Sequence, residues 1–144
     1  MNLLEVKNLT KYYNRSTPAL SDVSFSVKEG EFVAIIGPSG AGKSTLLRCL
    51  NRMIEATSGQ VLFEGADVLK ADKRQLRRIR TKIGMVFQHY NLVDRLSVIE
   101  NVLHGRLGYK STISGVLGRY SDEEKQQACQ IIDILGLSEH VYQR

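Results

Sequence analysis

Hydrophobic and polar residues alternate along the N-terminal stretch. Leu4 and Val6, and then Val23, Phe25 and Val27, stand two apart with polar residues between them. Period two belongs to strands with one face on a core, and turn-forming residues at 14–18 and at Lys28-Glu-Gly30 separate and end them. The pattern predicts an antiparallel layer, joined by a further strand over 60–64 ahead of Gly65. Residues 32–36, Phe-Val-Ala-Ile-Ile, are continuously apolar instead. Such a run fits a strand of a parallel sheet covered on both faces, and residues 83–87, Ile-Gly-Met-Val-Phe, predict a second inner strand of that kind.

Past residue 88 the period becomes helical. Ser97 with Glu100 three residues on forms a capping box for a helix beginning at Val98, and Ser121 with Glu124 repeats the arrangement. The second helix carries Ala128, Ile131, Ile132 and Leu135 at helical spacing before Gly136 stops it. Residues 105–118, rich in Gly, Ser and Thr, predict a loop.

Between the run at 32–36 and a helix starting near Ser44 lies GPSGAGKS, residues 37–44. Strand, glycine-rich loop and helix in this order form a phosphate site. Gly37, Gly40 and Gly42 open backbone conformations closed to other residues and bring amide N–H groups close to the phosphates. Lys43 reaches the β- and γ-phosphates as a point charge, and the Ser44 hydroxyl is placed for Mg2+. The partial positive charge at the helix N-terminus points at the same anion. A nucleoside triphosphate is the expected ligand.

Composition excludes several alternatives. No stretch approaches the roughly 18 uninterrupted apolar residues of a membrane span, and residues 1–6 lack a signal-peptide layout, so a cytosolic location is expected. Cys49 and Cys129 are far apart in apolar helical settings and read as reduced packing residues, while the three histidines, His89, His104 and His140, lack ligand spacing for zinc. The net charge of +5 has its main source in the basic residues between Lys70 and Lys82. Leu69, Leu76 and Ile79 give that segment a thin apolar stripe, and no aromatic residues interleave to stack bases, so a solvated helix is expected and nucleic acid is not.

A phosphate loop alone leaves kinases, GTPases and many ATPases open. Its surroundings resemble the ATP-binding subunit of ABC transporters. Leu9-Thr-Lys-Tyr-Tyr13 matches the family's adenine-stacking aromatic, best at Tyr13 with Tyr12 beside it. Gly84-Met-Val-Phe-Gln88 looks like the Q-loop, whose glutamine senses Mg2+ and the γ-phosphate, and Leu-Ser-Val-Ile-Glu-Asn-Val follows it at 96–102. Stretches at 91–97, 101–108 and 115–120 are similar to the branch that imports phosphonates.

The resemblance implies an α/β fold. Residues 1–88 would form the antiparallel β layer and P-loop NTPase core, and 89–144 part of a helical subdomain. It implies ATP and Mg2+ as cofactors, with Tyr13 on adenine, Gly37, Pro38, Ser39, Gly40, Ala41, Gly42, Lys43, Ser44 and Thr45 around the phosphates, and Ser44 and Gln88 at the metal. The implied partners are a second ATP-binding subunit, membrane permease subunits and, indirectly, a solute-binding protein, at the cytoplasmic face of the membrane. The family's signature motif, Mg2+-binding Asp, catalytic Glu and switch His do not occur in residues 1–144, and His89, directly after Gln88, is not that switch. The chain therefore looks like the first half or so of such a subunit, expected to bind nucleotide but hydrolyse it negligibly, and to be poorly soluble or self-associate because the strand at 32–36 lacks its neighbour. A non-catalytic regulatory or nucleic-acid-binding module that keeps the loop is the competing reading.

Overall fold

A computed structural model describes residues 2–14, 16–88, 91–110, 118 and 120–144. His89 and half of the Gly/Ser/Thr-rich stretch, 111–117, fall outside the described residues. The chain divides into two compact units, Met1–Ile83 and Gly84–Arg144.

In the first unit β1 (Asn2–Tyr12), β2 (Pro18–Lys28), β3 (Ser58–Phe63) and the short β4 (Ala66–Asp67) form an antiparallel sheet in the order β2-β1-β3-β4. Alternation decides its faces. Val6 lies opposite Phe25 on one side and Val61 on the other. Val6, Leu9, Leu20 and Val61 turn inward, where they meet Leu46 and Cys49 of α1 (Lys43–Leu50), Val68 and Ala71, and Ile79 of α2 (Lys73–Thr81). Gly59 sits where β3 crosses β1: its φ is 101°, and a Cβ there would lie 2.6 Å from both the Asn8 carbonyl oxygen and Leu9 Cα. Cys49 is fully buried, Cys129 half-buried, and both thiols are free. Burial pushes the Cys49 thiol above its ordinary pKa.

Two expected inner strands are corrected by the structure. Residues 32–36 and 83–87 form no β-ladder with any described residue. A strand is defined by its neighbour: without one the backbone groups turn to solvent. Phe32 and Ile36 are each 93% exposed, and residues 83–87 keep only the alternation of half-buried and exposed positions that extended backbone gives.

The second unit packs α3 (Val98–His104) against α4 (Asp122–Ile134), with a 3-10 turn at Gly105–Tyr109 where a loop was expected. Both predicted capping boxes form. Ser97 donates to Glu100 from its backbone N–H and its hydroxyl, each at 2.7 Å. Asn101 fastens the preceding turn, accepting from Val93 N–H at 2.9 Å and donating to the Val93, Leu96 and Ser97 carbonyls. Only part of the α4 stripe faces inward: Ala128 and Ile132 are buried, whereas Ile131 and Leu135 are exposed. Gly136, at φ 70°, ends the helix as expected.

Glu124 joins the α4 cap to Lys110, whose Nζ donates to its carboxylate at 2.6 Å with both side chains largely out of solvent. That hydrogen bond, and a second from the Ser121 backbone N–H, hold the Glu124 carboxyl below the usual glutamate range. The folded value lies under the unfolded one, so the stabilisation is complete above the ordinary value of about 4.3 and is lost as pH falls through the folded value. Glu124→Gln is expected to lower the melting temperature at pH 7, with the deficit shrinking as pH falls below about 4.3. A deficit that stays constant as pH falls would show that the pairing is not what Glu124 contributes.

Candidate nucleotide-binding site

Helix α1 differs from the other helices at its start. α2 is capped by Asp72 with Gln75 reaching back, and α3 and α4 carry Glu100 and Glu124 in their first turns. α1 has no side-chain cap and no acidic residue there. Its ladder begins with Leu46 N–H on the Gly42 carbonyl at 2.8 Å, so the N–H groups of Lys43, Ser44 and Thr45 lie ahead of it, and its positive end meets no carboxylate of its own. Buried Leu46 and Cys49 fix the helix to the sheet, which fixes the direction of that end.

Residues 37–42 form the loop in front of it. Gly40 and Gly42 take φ of 81° and 88°. At Gly42, the N-cap of α1, a Cβ would collide with the Ala19 carbonyl oxygen and lie 3.1 Å from Leu20 Cδ2, so the absence of a side chain lets the loop seat against β2. Gly40 has open space around it. Ala41 N–H donates to the Pro38 carbonyl at 3.3 Å, closing the turn through Ser39. Lys43 folds back across it, its Nζ donating to the Gly37 and Pro38 carbonyls at 2.7 Å each. The ammonium is thereby held over the loop rather than left on a free four-carbon stem. Ser44 is exposed on the first turn.

Tyr13, just past β1, is brought to the same helix: its hydroxyl lies 3.3 Å from Thr45 Oγ1. The neighbouring Tyr12 donates its backbone N–H to Thr57 Oγ1 at 3.0 Å. Lys11, which the sequence reading passed over, places its Nζ 5.3 Å from the centroid of the Tyr13 ring. Sequence spacing does not reveal this contact, because Tyr13 lies past the end of β1, where strand alternation no longer fixes the facing. Gln88 is exposed and belongs to the second unit.

This arrangement suits a triphosphate. Loop amides, an uncapped helix start and an ordered ammonium stand together at one end of α1, a setting that can receive an anion, and the Tyr13 hydroxyl reaches the same helix. No group of three His, Cys, Asp or Glu able to hold a metal ion occurs among the described residues. Magnesium is held by few protein groups and by substrate phosphates, and the Ser44 hydroxyl on the first turn of α1 fits that role.

The basic segment has a structural share in the fold. Arg80 donates to the Asn51 and Arg52 carbonyls and Lys82 pairs with Glu64, while Lys73, Arg74 and Arg78 remain on the exposed face of α2.

Comparison with known proteins adds four findings. The ABC transporter family pattern matches residues 20–144. A phosphonates import ATP-binding protein of Oceanobacillus iheyensis is 57% identical over 144 residues, all of this chain and 57% of the relative. Among solved structures, a nucleotide-free ATP-binding cassette from an ABC transporter superposes with TM-score 0.78 at 30% identity over 99% of this chain and 57% of that one. A dimeric cassette in a post-hydrolysis state, bound to ADP and Pi, gives TM-score 0.76 at 35% identity, covering 96% of this chain and 60% of that one. The chain thus spans just over half the length of the proteins it matches.

Proposed function

The chain belongs to the ABC transporter family, and from that membership we propose that it carries the ATP-binding loop of an importer's motor subunit, one that takes up phosphonates or a related oxyanion. The observation that carries the nucleotide reading is the Lys43 ammonium drawn over a glycine loop that opens onto an uncapped, acid-free helix start. The solute rests on relatives such as the phosphonates import protein. No helix among the described residues is long and apolar enough to cross a membrane. The chain then works at the cytoplasmic face against permease subunits, paired with a second ATP-binding subunit and served by a solute-binding protein.

The residues present divide the work of holding ATP. Loop amides over 37–44 cradle the phosphates, Lys43 neutralises their charge, Thr45 extends the contact toward the α-phosphate, and Tyr13 offers its ring to adenine. Bound Mg2+ would supply electrostatic stabilisation of charge on the phosphate oxygens; Ser44 is its ligand in this chain, and Gln88 is the residue that the family resemblance assigns to sensing it. Phosphoryl transfer depends on positioning and electrostatics together. Residues 1–144 hold the positioning groups without the family's catalytic Glu or signature motif, so alone they bind nucleotide and turn it over negligibly.

Titration calorimetry of the folded chain tests this reading. Saturable heat with Mg-ATP and no appreciable phosphate release over hours are expected; well-folded protein that gives no heat would remove it.

A further inference from the structure

We propose that Lys11 and Thr45 are positioning residues for the nucleobase, holding the Tyr13 ring as a platform with one face covered and the other left for stacking. The inference deepens the ATP-binding reading and rests on it. Tyr13 is 61% exposed, and a tyrosine so open at the end of a strand has little packing to fix its rotamer. Two contacts fix it here. Its hydroxyl meets Thr45 Oγ1 at 3.3 Å, and the Lys11 ammonium stands 5.3 Å from its centroid.

Lys11 is half-buried and forms no ion pair with a carboxylate among the described residues. Its charge also bears on buried Cys49 of α1, where it opposes the rise that burial causes, which sets Lys11 on the α1 side of β1. The ring quadrupole attracts a cation on one face. A planar base then has the opposite face, in the offset stacking that aromatic pairs prefer. Thr45 gives the arrangement its reach: it lies in the first turn of the helix that meets the phosphates, so the Tyr13 to Thr45 bond sets the spacing between base platform and phosphate loop.

The test separates base from phosphate. Mg-ATP and magnesium tripolyphosphate, which has no base, are titrated into wild type, Lys11→Met, Lys11→Arg, Tyr13→Phe, Tyr13→Ala and the Lys11→Met/Tyr13→Ala double variant. Lys11→Met and Tyr13→Phe are each expected to weaken ATP about two- to five-fold. Tripolyphosphate affinity should hold in both, Lys11→Arg should match wild type, and Lys11→Met should cost nothing further once Tyr13 is alanine. Equal losses for ATP and tripolyphosphate, or an undiminished Lys11→Met effect without the ring, would overturn the proposal, placing Lys11 on the phosphates. Wild type that binds ATP while Lys11→Met binds it equally well would overturn this inference alone; wild type that binds neither ligand would overturn the nucleotide reading with it.

Discussion

Gly42→Ala is expected to destabilise the first unit by about 3–5 kcal/mol, combining the strain of a left-handed L-residue with overpacking against rigid neighbours. The size follows from what the added methyl meets: the Ala19 carbonyl, which is backbone of β2, and Leu20 Cδ2 at 3.1 Å, part of a buried core residue. Neither can rotate away. Gly40 is the internal control, because its φ of 81° carries similar strain while nothing lies within 4 Å of its Cβ position. Gly40→Ala should therefore cost only about 1–2 kcal/mol. Denaturant unfolding of both variants measures the difference. A Gly42→Ala loss no greater than that of Gly40→Ala would mean that the loop does not seat against β2 as described.

Lys43→Ala carries the second large effect, and it depends on ligand. Mg-ATP at about 100 times its dissociation constant should stabilise the wild-type chain by roughly 2.7 kcal/mol, and the variant should lose that gain almost entirely. Without nucleotide the change should be far smaller. The two carbonyls that Lys43 serves, on Gly37 and Pro38, belong to exposed residues and pass to water when the ammonium is removed, at a cost on the order of 1 kcal/mol. Thermal unfolding with and without Mg-ATP gives both numbers in one series. A nucleotide-induced shift that survives Lys43→Ala would show that the ligand is held elsewhere.

Local signals in the sequence were read correctly where a local interaction decides the structure. Ser97 and Ser121 mark their helices because a capping box closes within three residues. The alternation of Leu4, Val6, Val23 and Phe25 marks strands because one face of the sheet must reach the core. Leu76 and Ile79 turn inward beneath the basic face of α2 for the same reason. Nonlocal dependence defeated the reading elsewhere. Residues 32–36 have the composition of an inner strand, but a strand exists through its neighbour, and no described residue serves as one. Helical spacing put Ile131 and Leu135 with Ala128 and Ile132, yet a stripe states only which positions share a side of the helix, and how much of it is covered depends on the elements packed there. At the candidate site the glycine loop stands out as a contiguous motif, whereas the lysine over the Tyr13 ring does not, because Tyr13 lies past the end of β1 and strand alternation does not fix its facing.

The loop is thus moored at one bank. Leu46 and Cys49 anchor the α1 side in the core, while the approach through residues 32–36 pairs in no β-ladder with any described residue. A triphosphate seated on the loop would have to hold that unpaired approach in place as well, which costs part of its binding energy. Affinity in this chain is therefore governed from a distance. Whatever completes the backbone ladder beside Phe32 and Ile36 would tighten the grip on nucleotide without touching a single phosphate oxygen.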